Sequence, residues 1–153
     1  MNHTEDMLSR GRHPRSEWTS RSEGTVMPKE ALALGLSPGS PVYRLSRIRY
    51  ADGQSMALEH STVPRDSLAL LESVSESLYS ALGAARPVRV LQRLRAVLFT
   101  AEQSQLLGIE PGSAGLEIER RGFPVGGRSV EFTTSYYRGD AYDFVAELNV
   151  ARR

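Results

Sequence analysis

The sequence predicts an α+β fold, one largely antiparallel sheet with helices packed on it. Two observations predict it. Apolar and polar residues alternate in paired runs separated by tight turns, and the chain repeats itself. Leu34-Gly35-Leu36-Ser37-Pro38-Gly39-Ser40 matches Leu107-Gly108-Ile109-Glu110-Pro111-Gly112-Ser113. The match runs on as Leu45 onto Ile118, Arg47 onto Arg120 and Tyr50 onto Phe123. After a one-residue shift in the hairpin, Ser55 falls on Ser129 and Ser61 on Ser135. Each copy reads helix, Pro-Gly turn, strand, tight turn, strand. Two copies are too few for a solenoid, so they imply two hairpins in one sheet with helices layered on it.

Taken in order, the first 25 or so residues carry almost no apolar period and read as a tail. Met27 to Leu34 reads as a short helix, with Pro28 in its first turn and Gly35 as its stop. Val42 to Tyr50 alternates as a strand; Ala51-Asp52-Gly53-Gln54 is a hairpin turn, and Ser55 to Val63 returns until Pro64 ends it. Leu68 to Leu71 suggests a helical turn. Ser77 to Leu82 suggests a short helix capped by Ser75 or Ser77. Val88 to Thr100 suits either a strand or a helix; its valines favour the strand. Ala101 to Leu107 is a helix closed by Gly108. Leu116 to Phe123 and Ser129 to Tyr137 form the second hairpin around Gly126-Gly127. The expectation is a single domain over 1–153 with its ordered core from about 26 to 148.

Composition narrows the function. The 153 residues are 40% hydrophobic and 24% charged, ordinary for one globular domain. Nineteen basic residues balance eighteen acidic ones, a net charge of +1. A domain that grips nucleic acid alone usually shows a basic excess, because phosphate contacts supply most of the affinity. Basic residues do gather at Arg10–Arg21 and Arg86–Arg95, which tempers that argument. The absence of cysteine excludes disulfides, Cys-based zinc sites and a thiol nucleophile. No apolar run approaches the roughly 20 residues of a membrane helix, and the polar start is unlike a secretory signal. A cytoplasmic location is expected.

Several residues could carry chemistry. Arg47 and Arg49 stand two apart on a strand, so both guanidiniums leave one face. They would repel unless an anionic ligand sits between them or carboxylates such as Asp52 neutralise them; the guanidinium fork suits a phosphate or carboxylate. Ser77 opens a helix and serves either an anion or an ordinary cap. In the repeat, Glu131 corresponds to Ala57, two residues from Glu59. Two is a full strand period, so Glu59 and Glu131 should point to equivalent faces. They could bind sugar hydroxyls or pair with Arg47, Arg49 or Arg120. Of the neighbours Tyr136 and Tyr137, one ring should pack inward. His3, His13 and His60 lack metal-ligand spacing, and no nucleophile elbow or phosphate-binding loop is present. Neither a catalytic residue nor a metal site is assigned.

The stretch PGSPVYRLSRIRYADGQSMALEHSTVP resembles the first hairpin of UTRA domains, the ligand-binding domains of GntR-type, HutC-subfamily bacterial transcription regulators. SLYSAL resembles their Ser-Leu-Tyr helix start. LLGIEPGSAGLEIERRGF and SVEFTTSYYRGDAYDF resemble their second hairpin and closing motif, and TEDMLSRGRHPRS their opening segment. The resemblance runs from about Thr4 to Leu148. It implies a chorismate lyase-like fold with a pocket on the sheet, and no cofactor. It also implies an anionic effector such as an amino-sugar phosphate, with Arg47, Arg49 and Ser77 on the phosphate and Glu59, Glu131 and Tyr137 on the sugar.

Some residues depart from the family pattern: Ala141 stands where Arg is common, and Gln92-Arg93 where the strand is usually acidic. The connection after Leu82 looks short. Only a few residues precede the resemblance, so no winged helix-turn-helix is expected within the chain, and DNA contact would come through such a domain. The implied function is effector sensing and dimerisation, expected as a homodimer, and not catalysis. A chorismate-lyase-like enzyme and a ligand-free dimerisation module remain alternative readings.

Overall fold

The computed structural model describes residues 14–68, 71, 74, 77–141, 145 and 147–150. Six strands make one antiparallel sheet: β1 (Pro14–Thr25), β2 (Pro41–Ala51), β3 (Gln54–Pro64), β4 (Arg89–Leu98), β5 (Ala114–Phe123) and β6 (Glu131–Arg138). Their spatial order is β1-β2-β3-β6-β5-β4. Among the described residues three α-helices, α1 (Pro28–Leu34), α2 (Leu78–Leu82) and α3 (Ala101–Leu107), complete the α+β fold.

The repeat is a repeat of structure. α1 and α3 both end on a glycine in the left-handed region, Gly35 at φ 63° and Gly108 at φ 65°, where a side chain would be strained. Each helix then leads through a turn into a hairpin, β2–β3 and β5–β6. The returning strands of the two hairpins pair with each other at the centre of the sheet, Glu59 opposite Ser135 and Ser61 opposite Thr133. The first hairpin turns at Asp52-Gly53, both with positive φ, as a two-residue loop between twisted strands requires.

The two faces bury different layers. One face packs Ile48 and Leu58 against Phe99 and Leu107, which brings α3 onto the sheet. On this face Glu30 of α1 accepts from Arg44 and from Thr62 Oγ1 and also caps its own helix at the Met27 N–H, 2.7 Å away. The other face packs Tyr43, Leu45 and Val63 against Leu68, Val74, Leu78 and Leu82 of the segment between β3 and β4. Gly115 shows how tight the first layer is. A Cβ there would strike the Phe99 ring and lie 2.5 Å from the Tyr137 carbonyl oxygen. Because the backbone oxygen is held in the β5–β6 ladder, Gly115→Ala should cost about 1–3 kcal/mol, read as a lowered urea midpoint.

One element differs from the sequence expectations. Pro14–Thr25, read as patternless, is the edge strand β1, fully paired to β2 but for a bulge between Trp18 and Ser20. An edge strand needs few apolar residues: Trp18 packs on the core, and Arg21 donates to the Val74 carbonyl at 3.0 Å. The helical turn expected at Leu68–Leu71 falls on residues 69 and 70, which lie outside the described ones; just before it the chain makes a 3-10 turn at Arg65–Ser67. Val88–Thr100 resolves in favour of the strand, β4. Ser77 is the cap of α2, accepting from the Ser80 N–H at 3.3 Å, whereas Ser75 lies outside the described residues.

Candidate functional site

Register decides which side chains share a face. In an antiparallel pair, residues directly opposite point the same way. Arg47 is opposite Glu59, Glu59 opposite Ser135, and Arg120 opposite Thr133. Arg47, Arg49, Glu59, Arg120, Glu131, Thr133 and Tyr137 therefore project from one face of β2, β3, β6 and β5. The inference that Glu59 and Glu131 share a face holds in this register. Tyr137 is the inward ring, buried against Ala57 and Ile118. Tyr136 packs edge-on against Phe99 on the opposite face.

Arg47, Arg49 and Glu59 are each only 4% exposed. Arg47 Nε donates to Glu59 Oε1 at 2.8 Å; Arg49 reaches the same carboxylate at 3.3 and 3.4 Å and donates to Ser16 Oγ at 2.9 Å. The Arg47 guanidinium also lies 4.3 Å from the Trp18 ring centre. Glu59 is thus a carboxylate that neutralises the arginine pair. Glu131, with no exposed surface, anchors a second cluster. Its carboxylate accepts from Tyr79 Oη at 2.6 Å, Thr133 Oγ1 at 2.6 Å and Arg120 Nη2 at 2.8 Å. Thr133 Oγ1 lies 2.8 Å from Ser61 Oγ, linking β6 back to β3.

The two clusters share one electrostatic field. Burial alone would raise the Glu59 carboxyl, but Arg49, Arg47 and Arg120 outweigh it and hold it well below the ordinary carboxylate range. Burial pulls Arg47 down from its ordinary value; Glu59 opposes this and the like charge of Arg49 reinforces it. Burial, then the Glu131 charge, pushes the Tyr79 phenol up, so it stays a hydrogen-bond donor. Among the described residues, three guanidiniums share two carboxylates in this layer.

Ser77 is half-buried at the start of α2, its hydroxyl engaged in the cap, and two residues on Tyr79 reaches the Glu131 carboxylate. Sequence reasoning gave Tyr79 no role. Its signal was present: it follows Ser77 by two in SLYSAL, on the helix already singled out. Arg120 was weighed only as a carboxylate partner, although the repeat maps it onto Arg47. Ala141 packs against Ala51 and Met56. Gln92 lies opposite Arg120 at the edge of the same face, while Arg93 points to the other. A recess of about 440 Å³, lined by Lys29, Leu91, Arg93, Glu119, Arg121 and Phe132 among others, lies on the opposite face under α1. It contains none of the buried charge cluster, so the chemistry points to the Arg47 face.

Residues 9–143 match the UTRA domain model. The chain is 31% identical over 147 residues to the HTH-type transcriptional repressor NagR of Bacillus subtilis, covering 93% of this chain and 60% of NagR. It is 27% identical over 146 residues to the HTH-type transcriptional regulator GgaR of Escherichia coli, covering 94% of this chain and 59% of GgaR. The chain thus spans about 60% of the length of these curated relatives. In fold it is similar to the effector domain of PhnF from Mycobacterium smegmatis, with TM-score 0.89, 24% identity, and coverage of 97% of this chain and 95% of that one. It is also similar to a GntR-family transcriptional regulator from Enterococcus faecalis, with TM-score 0.81, 24% identity, and coverage of 88% and 100%. NagR and GgaR are named as transcriptional regulators, and the chain is a regulatory domain and not an enzyme. It belongs to the UTRA domain family, the effector-binding domains of GntR-family transcription regulators.

Proposed function

We propose that this domain, as a single unit over 1–153, senses a small anionic metabolite of the sugar-phosphate class on the face that carries Arg47, Arg49 and Arg120. One observation carries the reading: Arg47 and Arg49, each 4% exposed, project side by side from one face of β2 and converge on a single carboxylate, Glu59. Buried charge persists when paired, and a guanidinium pair gathered on one carboxylate marks a place that accommodates an anionic group. A guanidinium pair suits phosphate oxygens. In this reading Arg47, Arg49 and Ser77 hold the phosphate, and Glu59, Glu131 and Tyr137 accept from or pack against the sugar. An amino-sugar phosphate fits that division.

The parent regulator is a HutC-type protein of the cytoplasm that works as a homodimer and meets DNA through a winged-helix domain. Effector binding acts by population shift: a ligand that prefers one arrangement of the dimer changes the DNA affinity of the attached domains. No helix of the described residues is long and apolar enough to cross a membrane.

A thermal-shift series of sugar phosphates and organic acids tests the reading. A ligand at about 100 times its Kd stabilises by about 2.7 kcal/mol, a rise of roughly 5–10 °C for a chain of this size. Arg47→Lys and Arg49→Lys keep the charge but lose the fork; each should weaken binding of the hit about 10-fold or more. If no anion shifts the melting point, or if the hit binds both variants unchanged, the site is not an anion sensor. The first result would favour a ligand-free dimerisation module.

A further inference from the structure

The two halves of the repeat differ on the face that carries α1 and α3. Arg120 corresponds to Arg47 and Glu131 to Ala57, so Arg121 stands where the first hairpin has Ile48, and Phe132 where it has Leu58. Ile48 and Leu58 are closed over by Phe99 and Leu107. In the second hairpin the equivalent place stays open, and Arg121 and Phe132 line the recess of about 440 Å³ under α1. One half of the repeat thus fills this space with its own aliphatic side chains. The other half puts a guanidinium there and leaves room beside it.

The register arranges the lining in two rows. Leu91, Arg121 and Phe132 lie directly opposite one another across β4, β5 and β6, and Arg93 with Glu119 forms the next row. All of them leave the sheet on the side of α1. In the second row Lys29 of α1 and Arg93 both reach Glu119, each at 3.3 Å. Lys29 Nζ also lies 5.9 Å from the centre of the Phe132 ring. Arg121 is placed differently, half-buried between two apolar neighbours. On one side is Leu91, 50% exposed, and on the other Phe132, only 7% exposed. Leu32 of α1, 84% exposed, stands at the rim.

A guanidinium keeps its charge at any working pH, and its fork suits a carboxylate. Apolar walls on both sides of it suit a ligand whose body is apolar and whose charge sits at one end. Small-molecule sites commonly enclose about 300–1,000 Å³, and this recess falls in that range. From this arrangement we infer that the recess is a second small-molecule site, and that it takes a carboxylate with a flat apolar body. The carboxylate meets Arg121, with the positive charges of Lys29 and Arg93 nearby. The body lies against Phe132 and Leu91, and Leu32 overhangs it. A ring on Phe132 gains the further attraction of an offset aromatic pair. The site lies on the opposite side of the sheet from Arg47 and Arg49, so it does not depend on the sensing role proposed for that face.

Naphthalene-2-carboxylate is the probe, and its uncharged carboxamide is a control of nearly the same shape. A ligand of this size should bind with a Kd of about 1 mM or tighter. In a nitrogen–proton correlation spectrum it should move the backbone amide signals of residues 29–33, 91–93 and 119–121, which surround the recess. The signals of residues 47–49 should stay still, which separates this site from the sensing face. The carboxamide should bind about 10-fold more weakly, since it brings no charge to the fork. Arg121→Ile installs the residue that the first hairpin carries at this place, so the strand should form as before. It should weaken the probe about 10-fold or more. Arg121→Gln should do the same, so a folding defect in one variant leaves the other to decide. No movement at about 5 mM probe would overturn the inference. So would equal binding of the carboxamide, unchanged binding by both variants, or movement centred on the Arg47 face. Each readout uses the probe alone, so a failed screen for the sensing site leaves the test intact.

Discussion

Glu59→Ala should destabilise the domain by about 3–5 kcal/mol. The side chain removed is small, but what it leaves is not: two guanidiniums, each 4% exposed, lose the carboxylate they share and cannot shed their charge. The same geometry fixes the sign of a pH effect. The Glu59 carboxyl is depressed in the folded protein by Arg49, Arg47 and Arg120, which outweigh its burial. Its contribution to stability is therefore fully present above the unfolded value of about 4.3 and is lost as pH falls below that. Glu59→Gln should lower stability at pH 7 and make the curve flatter between about pH 5 and 3. Other depressed carboxyls such as Glu30, which accepts from Arg44, keep some slope in both proteins, so the difference between the two curves is the measurement. Inorganic phosphate should raise the melting point of Glu59→Ala more than that of the native chain, because an anion can replace the missing carboxylate. A loss below about 1 kcal/mol with parallel pH curves would mean that solvent, and not Glu59, compensates the arginine pair.

How far this arrangement could be read from sequence depends on period. The hairpins were legible because Asp52-Gly53 and the alternation in β2 state a turn and a buried face locally. The repeat then extended the argument across the chain: Arg47 and Arg120 occupy equivalent places, and Glu59 and Glu131 fall on one face. β1 was not legible, since an edge strand held by Trp18, Arg21 and backbone pairing has no need of an apolar stripe. The arginine pair was half legible. Its shared face followed from spacing, and Glu59 was among its possible partners, but only the β2–β3 register, which sets Glu59 opposite Arg47, selects it. A turn residue such as Asp52 looked as close in sequence as Glu59 is in space. Tyr79 was missed for a related reason: its hydroxyl acts on a strand 52 residues away, and a five-residue helix carries too little pattern to say which side faces the sheet.

That contact supports a second large effect. Glu131→Ala should cost about 3–5 kcal/mol, because Glu131 is wholly buried and its loss strands Arg120 and leaves the Thr133 and Tyr79 hydroxyls without their acceptor. Tyr79→Phe removes only the hydroxyl, whose 2.6 Å bond to a charged acceptor is worth about 1.5–3 kcal/mol. The two losses should not add. In the Glu131→Ala background the Tyr79 hydroxyl has no carboxylate to reach, so Tyr79→Phe should cost almost nothing there, leaving a coupling energy of about 1–3 kcal/mol. Urea titrations of the four proteins complete the cycle. The coupling measures how firmly α2 is tied to β6 through the charged layer, apart from the apolar packing of Leu78 and Leu82. An effector that inserts between Tyr79 and Glu131 would have to replace that bond, so the same coupling bounds what α2 gives up on binding. If Tyr79→Phe costs as much with Glu131 absent as with it present, α2 is held by its leucines alone, and a ligand in the layer would have no polar handle on the helix.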